Sequence, residues 1–177
     1  MHTFSMGQSV VAGKNVKIGK NVVIWNFVVI GDDVEIGENT KIGSFVDIGR
    51  GVKIGKNCII QAAVTISNEC VVGDNVFIGP NTTLLNDLYP VSQKLSPVIV
   101  ANNAVIGGGV IVMADVRIGE NAFVAGASVV TKDVPPNTAC KGMPARTYAE
   151  RAEYEIKKKR YETGPGKVRR VDVGGVS

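Results

Sequence analysis

The chain has 177 residues and a formal net charge of +4, and 45% of it is hydrophobic although only 6% is aromatic. The apolar content is therefore mainly Val, Ile and Ala, which is typical of β-strands. The modest charge, without a basic groove interleaved with aromatics, argues against nucleic-acid binding, and no run of 18 apolar residues predicts a membrane-spanning helix.

A period of six residues runs through most of the sequence. Branched aliphatic residues recur at almost every sixth position from Ala12 to Leu84, and the same phase resumes from Val100 to Val130. Four residues after each of them lies a small or β-branched residue, and this second residue usually follows Asn, Asp or Gly. Because these three residue types tolerate a positive φ, each hexad is predicted to be a short strand followed by a tight corner.

A six-residue period fits neither an α-helix nor an ordinary alternating strand. It predicts an all-β fold, a parallel β-helix over residues 9–147, in which three hexads form one coil of a triangular prism. The aliphatic residues would stack inside the prism. The number of hexads predicts about six coils, each separated from the next by roughly 4.8 Å.

The repeat is interrupted once, between Leu84 and Val100, where ten extra residues predict that segment 85–99 leaves the prism as a loop. A regular solenoid interrupted in a single place indicates a functional loop, and a tolerated surface insertion is the alternative. Beyond the hexads, residues 148–160 contain neither Gly nor Pro and predict a short charged helix. Residues 148–177 are therefore predicted to be this helix and a flexible basic tail.

Residues 126–146 (GASVVTKDVPPNTACKGMPAR) resemble the terminal signature of the coenzyme-A-dependent hexapeptide-repeat acyltransferases. This resemblance, which also covers the repeats, implies a left-handed β-helix, acetyl-CoA as co-substrate, no required metal, and a cyclic homotrimer with active sites shared between subunits. It also implies a cofactor site along the last coils, with pantetheine contacts at Gly108 and Gly126 and nucleotide contacts at Thr131, Lys132 and Arg146.

The chemistry of those five residues agrees with the resemblance. Glycine permits close approach of a ligand to the backbone. Lysine and arginine suit phosphate groups, the first as a point charge and the second as a planar fork. The alternative for Lys132 and Arg146 is that both are ordinary solvated charges.

The corner at which the loop departs contains Asn86, Asp87 and Tyr89. In galactoside- and maltose-type acetyltransferases a histidine that acts as a base occupies the position of Tyr89, whereas the only histidine of this chain is His2. An alcohol needs a general base to attack a thioester. An amine with a pKa near 8 is partly neutral at physiological pH and needs placement more than deprotonation. The missing histidine therefore favours N-acetylation.

The stretch FIGPNTTLLNDLYP also resembles N-acetyltransferases that act on nucleotide-linked 3-amino sugars. That resemblance implies that Asn86 holds the acceptor amine, that Asp87 orients it, and that the departing coenzyme sulfur takes its proton. Tyr89 would line the acceptor site, and Asp87 as a plain turn residue is an alternative. The predicted function is acetyl-CoA-dependent N-acetylation of a nucleotide-linked amino sugar, with sugar O-acetylation or a non-catalytic trimeric scaffold as alternatives.

Three aromatic residues, Trp25, Phe27 and Phe45, break the corner pattern of the early coils. They predict an interface between subunits, where aromatic residues are enriched, and stacking on a nucleotide base is the alternative.

The three cysteines lack paired spacing, and no basic and apolar leader opens the sequence, so a reducing, cytoplasmic location is expected. Three histidines, which a γ-type carbonic anhydrase needs for zinc, are not available.

Overall fold

The structure is a computed structural model that describes residues 4–91 and 93–163, so His2 and the predicted tail at 164–177 lie outside the described residues. Strands of two residues follow one another along the chain. In order they are β1 (Ser5–Met6), β2 (Val11–Ala12), β3 (Lys17–Ile18), β4 (Val23–Ile24), β5 (Val29–Ile30), β6 (Glu35–Ile36), β7 (Lys41–Ile42), β8 (Asp47–Ile48), β9 (Lys53–Ile54), β10 (Ile59–Ile60), β11 (Thr65–Ile66), β12 (Val71–Val72), β13 (Phe77–Ile78), β14 (Thr83–Leu84), β15 (Ile99–Val100), β16 (Val105–Ile106), β17 (Ile111–Val112), β18 (Arg117–Ile118), β19 (Phe123–Val124) and β20 (Val129–Val130).

Two longer strands and one helix follow the prism: β21 (Thr138–Lys141), β22 (Arg146–Glu150) and α1 (Arg151–Thr163). Every third strand pairs in parallel, which produces three sheets. Sheet A contains β1, β4, β7, β10, β13, β16, β19 and β21, with β22 antiparallel at its end; sheet B runs from β2 to β20, and sheet C from β3 to β18.

This topology confirms the predicted parallel β-helix, but with more coils than the sequence suggested. Sheet A has eight parallel strands, whereas the hexad count predicted about six coils. The difference arises at both ends, because pairing already begins at β1, before the first recognised aliphatic position, and continues in β21 after the hexads stop. The left-handed sense of winding and the division into residues 9–147 and 148–177 stay predictions.

The prism interior consists of stacked aliphatic side chains. The second residue of each strand points inward, so that Ile24, Ile42 and Ile60 of sheet A are no more than 1% exposed. Burying each such side chain contributes roughly 1.5–3 kcal/mol. At the first coil Val16 and Ile18 are only partly buried.

The corners recur with the same six-residue period, and apart from the loop each corner from Ser9 to Ala127 has one residue of positive φ. Asn21, Asn39, Asn57 and Asn75 occupy this position with φ between 55° and 59°. Each side-chain amide donates a hydrogen bond to the amide oxygen of the next, at 3.1, 3.2 and 3.3 Å. The polar corner residue predicted from the sequence therefore serves two purposes, because it adopts the tight conformation and also links successive coils.

The loop is shorter than the predicted segment 85–99. The backbone N–H of Leu85 still bonds to the next coil, at 3.0 Å from the carbonyl of Val112, and Ile99 already belongs to β15. Val98 is completely buried, because the returning chain re-enters the aliphatic stack before its strand begins. The backbone N–H of Ser96 donates to the carbonyl of Asn86 at 2.7 Å, which closes the neck of the loop.

The C-terminal helix begins at Arg151 rather than at the predicted residue 148, because residues 146–150 pair with β21 as β22. Arg151 is only 8% exposed; its guanidinium donates to the carbonyl of Ala122 at 3.1 Å and pairs with Glu155 at 2.7 Å. The Tyr154 ring stacks on Phe123, with centroids 3.9 Å apart. These contacts fasten α1 against the last coil. No helix in the described ranges has the length and apolarity required to cross a membrane.

Candidate functional site

The predicted site residues lie on two edges of the prism. The A–B edge is the column of corners that joins sheets A and B, and it contains Gly108 and Gly126. The B–C edge joins sheets B and C, and it contains Asn86 with the loop and, in the last coil, Thr131 and Lys132. Sheet B therefore separates the two groups within one protomer, and the structure does not bring them together.

The A–B edge is almost free of side chains in the last coils. Gly108 and Gly126 are in adjacent coils, and the N–H of Ala127 donates to the carbonyl of Gly108 at 2.9 Å. A Cβ atom at Gly126 would lie 3.1 Å from that carbonyl oxygen, whereas one at Gly109, whose φ is +66°, would meet nothing within 4 Å. The glycines therefore serve coil stacking, and at Gly109 they also leave space in which a ligand can approach the backbone.

The B–C edge holds Asn86 in one orientation. Its Nδ2 group donates to the carbonyl of Asn68, one coil earlier, at 3.1 Å. The amide oxygen Oδ1 is consequently the atom that is left to accept a hydrogen bond from a ligand. Asp87 is half-buried beside it, whereas Tyr89 is 78% exposed and therefore not held in place by the fold.

Both basic residues of the predicted nucleotide site are exposed at the C-terminal end of the prism. Lys132 lies in the last corner of the B–C edge, next to Thr131, and Arg146 begins β22. The guanidinium of Arg146 donates to the carbonyl of Ala145 at 2.9 Å. Neither cation forms an ion pair within the described part of the chain, so both charges are available to a phosphate group.

The structure contains one polar pocket that sequence reasoning missed. It lies beneath Asn86 on sheet B, has a volume of about 260 Å³, and is lined by Asp47, Gly49, Thr65, Ile66, Ser67, Asn68 and Asn86. Asp47 and Thr65 are directly opposite each other in the register of β8 and β11. Both are outward residues of their hexads and could have been found from the same six-residue period. The prediction rested on the inward aliphatic residues alone and therefore did not include this pair.

A second, larger cleft lies at the A–B edge of the early coils. It has a volume of about 500 Å³ and is lined by Trp25, Lys41, Gly43, Ser44, Ile59, Ile60, Gln61 and Ala62. The nearby rings of Phe27 and Phe45 stack with centroids 5.2 Å apart, and both remain more than half exposed. An apolar surface of this kind on a single chain is typical of a binding or subunit interface.

No cysteine is suited to act as a nucleophile. Cys58, Cys70 and Cys140 are buried free thiols, and burial raises the pKa of Cys70 and Cys140 to about 11. A thiol with a raised pKa is protonated at neutral pH and inert. The candidate site therefore offers hydrogen-bonding and charged groups rather than a covalent nucleophile.

Sequence models of two related families match the repeats. The model described as bacterial transferase hexapeptide (six repeats) matches residues 15–50, 33–68 and 51–86, and the hexapeptide repeat of succinyl-transferase matches residues 69–114. The galactoside O-acetyltransferase of Escherichia coli is 37% identical over 79 residues, which are 40% of this chain and 39% of that enzyme. A 2,3,4,5-tetrahydropyridine-2,6-dicarboxylate N-acetyltransferase of Staphylococcus aureus is 38% identical over 36% of this chain and 27% of that enzyme. The chain therefore spans well under half of these relatives.

Solved structures share the fold over most of the chain. PerB from Caulobacter crescentus, in complex with CoA and GDP-perosamine, is 23% identical with a TM-score of 0.60, over 80% of this chain and 55% of PerB. AntD, an N-acyltransferase from Bacillus cereus in complex with dTDP and 3-hydroxybutyryl-CoA, is 22% identical with a TM-score of 0.62, over 86% of this chain and 89% of AntD. At these identities the likeness establishes the fold.

Proposed function

Because this chain belongs to the hexapeptide-repeat transferase family, we propose that it transfers an acetyl group from acetyl-CoA to the amino group of a nucleotide-linked sugar. One observation carries the proposal: Asn86, whose Nδ2 is engaged by Asn68, lines a polar pocket at the base of the loop, in a chain whose only histidine is residue 2. Such a site can place an amine but offers no imidazole base for a hydroxyl group.

Acetyl-CoA is proposed to lie along the bare A–B edge. Gly108 and Gly126 are proposed to offer backbone groups to an extended pantetheine arm. Thr131 and Lys132, on the B–C edge that faces this edge in the trimer proposed below, are proposed together with Arg146 to bind the phosphates and the nucleotide. The complexes of PerB with CoA and of AntD with 3-hydroxybutyryl-CoA support this assignment, since both share the fold. No metal is proposed to take part.

The proposed role of Asn86 follows from its fixed orientation. Since Nδ2 donates to Asn68, Oδ1 accepts an N–H of the acceptor amine and directs the nitrogen lone pair toward the thioester. Asp87 is proposed to hold this corner in the required shape, and Tyr89 to contact the sugar from the loop. Acetyl-CoA supplies the acyl group: the C–S bond breaks as the C–N bond forms, and the coenzyme sulfur takes the proton that the amine loses.

A second candidate function is O-acetylation of a sugar hydroxyl, which the similarity to the Escherichia coli galactoside O-acetyltransferase favours. It needs a base, and the position that the resemblance assigns to histidine is occupied by Tyr89. A tyrosine hydroxyl is a poorer proton acceptor than the imidazole that it replaces. A trimeric scaffold without catalysis, the third candidate, gives no reason for the polar pocket beneath Asn86.

The test of the function is acetyl transfer by the purified protein. We expect N-acetylated product, detected by mass spectrometry, with acetyl-CoA and at least one of a panel of UDP-, dTDP- and GDP-linked amino sugars. The hydroxyl counterpart of each sugar is the control and should react far more slowly, because the pocket contains no imidazole base. Preferential acetylation of a hydroxyl sugar would establish the second candidate instead.

A cyclic homotrimer is part of the proposal, because it would bring the two edges together. In a trimer the B–C edge of one protomer, with Asn86, can face the A–B edge of its neighbour, with Gly108 and Gly126. Exposed Trp25, Phe27 and Phe45 provide apolar surface for such an interface. Sedimentation at micromolar protein should therefore give three times the chain mass of 18.7 kDa, and a monomer would contradict the shared site. A cytoplasmic location stays a prediction.

Changing Lys132 and Arg146 together to alanine should weaken acetyl-CoA binding by roughly 1–3 kcal/mol, the size of lost charge-assisted hydrogen bonds. The fold should survive, because both side chains are exposed and neither belongs to the aliphatic stack. Calorimetric titration is the measurement, and the double change of Lys157 and Lys158 on α1 to alanine is the control for lost positive charge. Equal affinities in all three proteins would place the cofactor elsewhere.

A further inference from the structure

The outward face of sheet B carries a single charge. Its outward residues, one from each strand, are Val11, Val29, Asp47, Thr65, Thr83, Ile111 and Val129. Asp47, Thr65 and Thr83 thus form a polar segment between aliphatic neighbours, and Asp47 is the one ionisable residue in this series. A carboxylate on an otherwise neutral sheet face is distinct from the mixed charges of sheet C, where Lys17 pairs with Glu35 at 3.1 Å.

The Asp47 carboxylate has no partner of its own. It forms no ion pair or side-chain hydrogen bond within the described ranges, and its register neighbours, Val29 on β5 and Thr65 on β11, carry no charge. The nearest corner contains Arg50, but that guanidinium pairs with Glu69 at 3.2 Å. Asp47 is therefore unpaired within the described ranges, and it lines the pocket that also contains Asn86.

The side-chain groups around this pocket are suited to a ligand that has several hydrogen-bond donors. Asp47 can only accept hydrogen bonds when ionised, Asn86 presents its amide oxygen, and the Thr65 hydroxyl can accept as well. An ammonium group brings three N–H donors and a positive charge, whereas a sugar hydroxyl brings one donor and no charge. Charge-assisted hydrogen bonds to a carboxylate are roughly twice as strong as neutral ones.

We propose that Asp47 binds the acceptor amine as its ammonium ion and thereby selects amino sugars over their hydroxyl counterparts. This proposal rests on the proposed function and adds a specificity-determining residue to it. Asp47 contributes to recognition of the acceptor and not to the chemical step. The ammonium ion loses one proton to solvent, and the neutral amine, held by Asn86, then attacks the thioester. Because the carboxylate favours the charged form, the pKa of the bound amine should lie above that of the free acceptor.

The test compares wild type with Asp47→Asn, which keeps the shape of the side chain and removes its charge. Glu35→Gln is the matched control, because Glu35 is also the outward residue of a strand but lies on sheet C. Binding of nucleotide-linked 3-amino sugars and of their 3-hydroxyl counterparts is measured by calorimetry without acetyl-CoA, using UDP-, dTDP- and GDP-linked pairs. Asp47→Asn should lose about tenfold in affinity for the amino sugar and little for the hydroxyl sugar.

Kinetics provide a readout that a merely structural role would not change. The pH profile of kcat reports the pKa of the bound amine, and this pKa should fall in Asp47→Asn. The pH profile of kcat/KM reports the pKa of the free acceptor, which should not change. Unchanged discrimination between amino and hydroxyl sugars in Asp47→Asn would overturn the role of Asp47 while leaving the proposed function intact. If wild type binds no amino sugar of the panel, both proposals fail.

Discussion

Replacing Asn86 by alanine is expected to lower kcat by about 10²-fold, the usual cost of a misplaced nucleophile. The Asn86 amide is anchored by its 3.1 Å hydrogen bond to Asn68, so its oxygen occupies one position relative to the pocket. Alanine removes the acceptor group without removing a buried apolar contact. A pH–rate series with acetyl-CoA and an amino-sugar acceptor is the measurement, and the profile of kcat/KM should keep the pKa of the free amine.

Tyr89→Phe is the control for this prediction. Its side chain is 78% exposed and is not held in place by the fold, so the change should cost much less than Asn86→Ala. Loss of activity in Tyr89→Phe, together with near-normal activity in Asn86→Ala, would show that Tyr89 is the acid–base group. The placement mechanism would then be wrong.

Replacing Gly37 by alanine is expected to destabilise the protein by about 3 kcal/mol, the upper range for forcing an extra carbon into a packed site. An added Cβ would lie 2.5 Å from the carbonyl carbon of Gly55 and 2.7 Å from its oxygen. Both atoms belong to the backbone of the next coil, so neither can turn away as a flexible side chain would. Thermal unfolding at fixed protein concentration should show a melting temperature lower by roughly 10 °C.

The Gly51→Ala variant distinguishes the free-energy cost of steric crowding between coils from the cost of backbone strain. Gly51 has a φ of +69°, and a Cβ there would have only the flexible Glu69 side chain within 4 Å, at 3.4 Å. The expected cost is about 1 kcal/mol, that of a left-handed conformation in an L-residue. Neighbouring corners already accept this conformation at Asn39 and Asn57. If Gly51→Ala proves more damaging than Gly37→Ala, close stacking of the coils is not the reason for the glycine that follows many of the strands.

Several features of the site could be predicted from the sequence because they interrupt a period. Asn86 stands where the hexads stop, and the series from Ala12 onward made that break visible. The loop bounds were less accurate. Val98 rejoins the stack and Ile99 pairs in β15 before the aliphatic phase restarts at Val100. The series from Ala12 marks only the inward strand residues, so it showed neither the buried corner residue nor the backbone pairing that precede Val100.

The sequence by itself determined the β-helix, its polar corners and the interruption of its repeat, because a six-residue period in side-chain type can be recognised from the sequence alone. Only the tertiary structure decided which residues are neighbours across coils. Asp47 and Asn86 are 39 positions apart in the chain, yet both line one pocket, because parallel pairing of β8 with β11 stacks residues 18 apart. The tertiary structure likewise placed Gly126 and Lys132, which are six positions apart, on different edges of the prism, because one hexad takes the chain from one corner to the next.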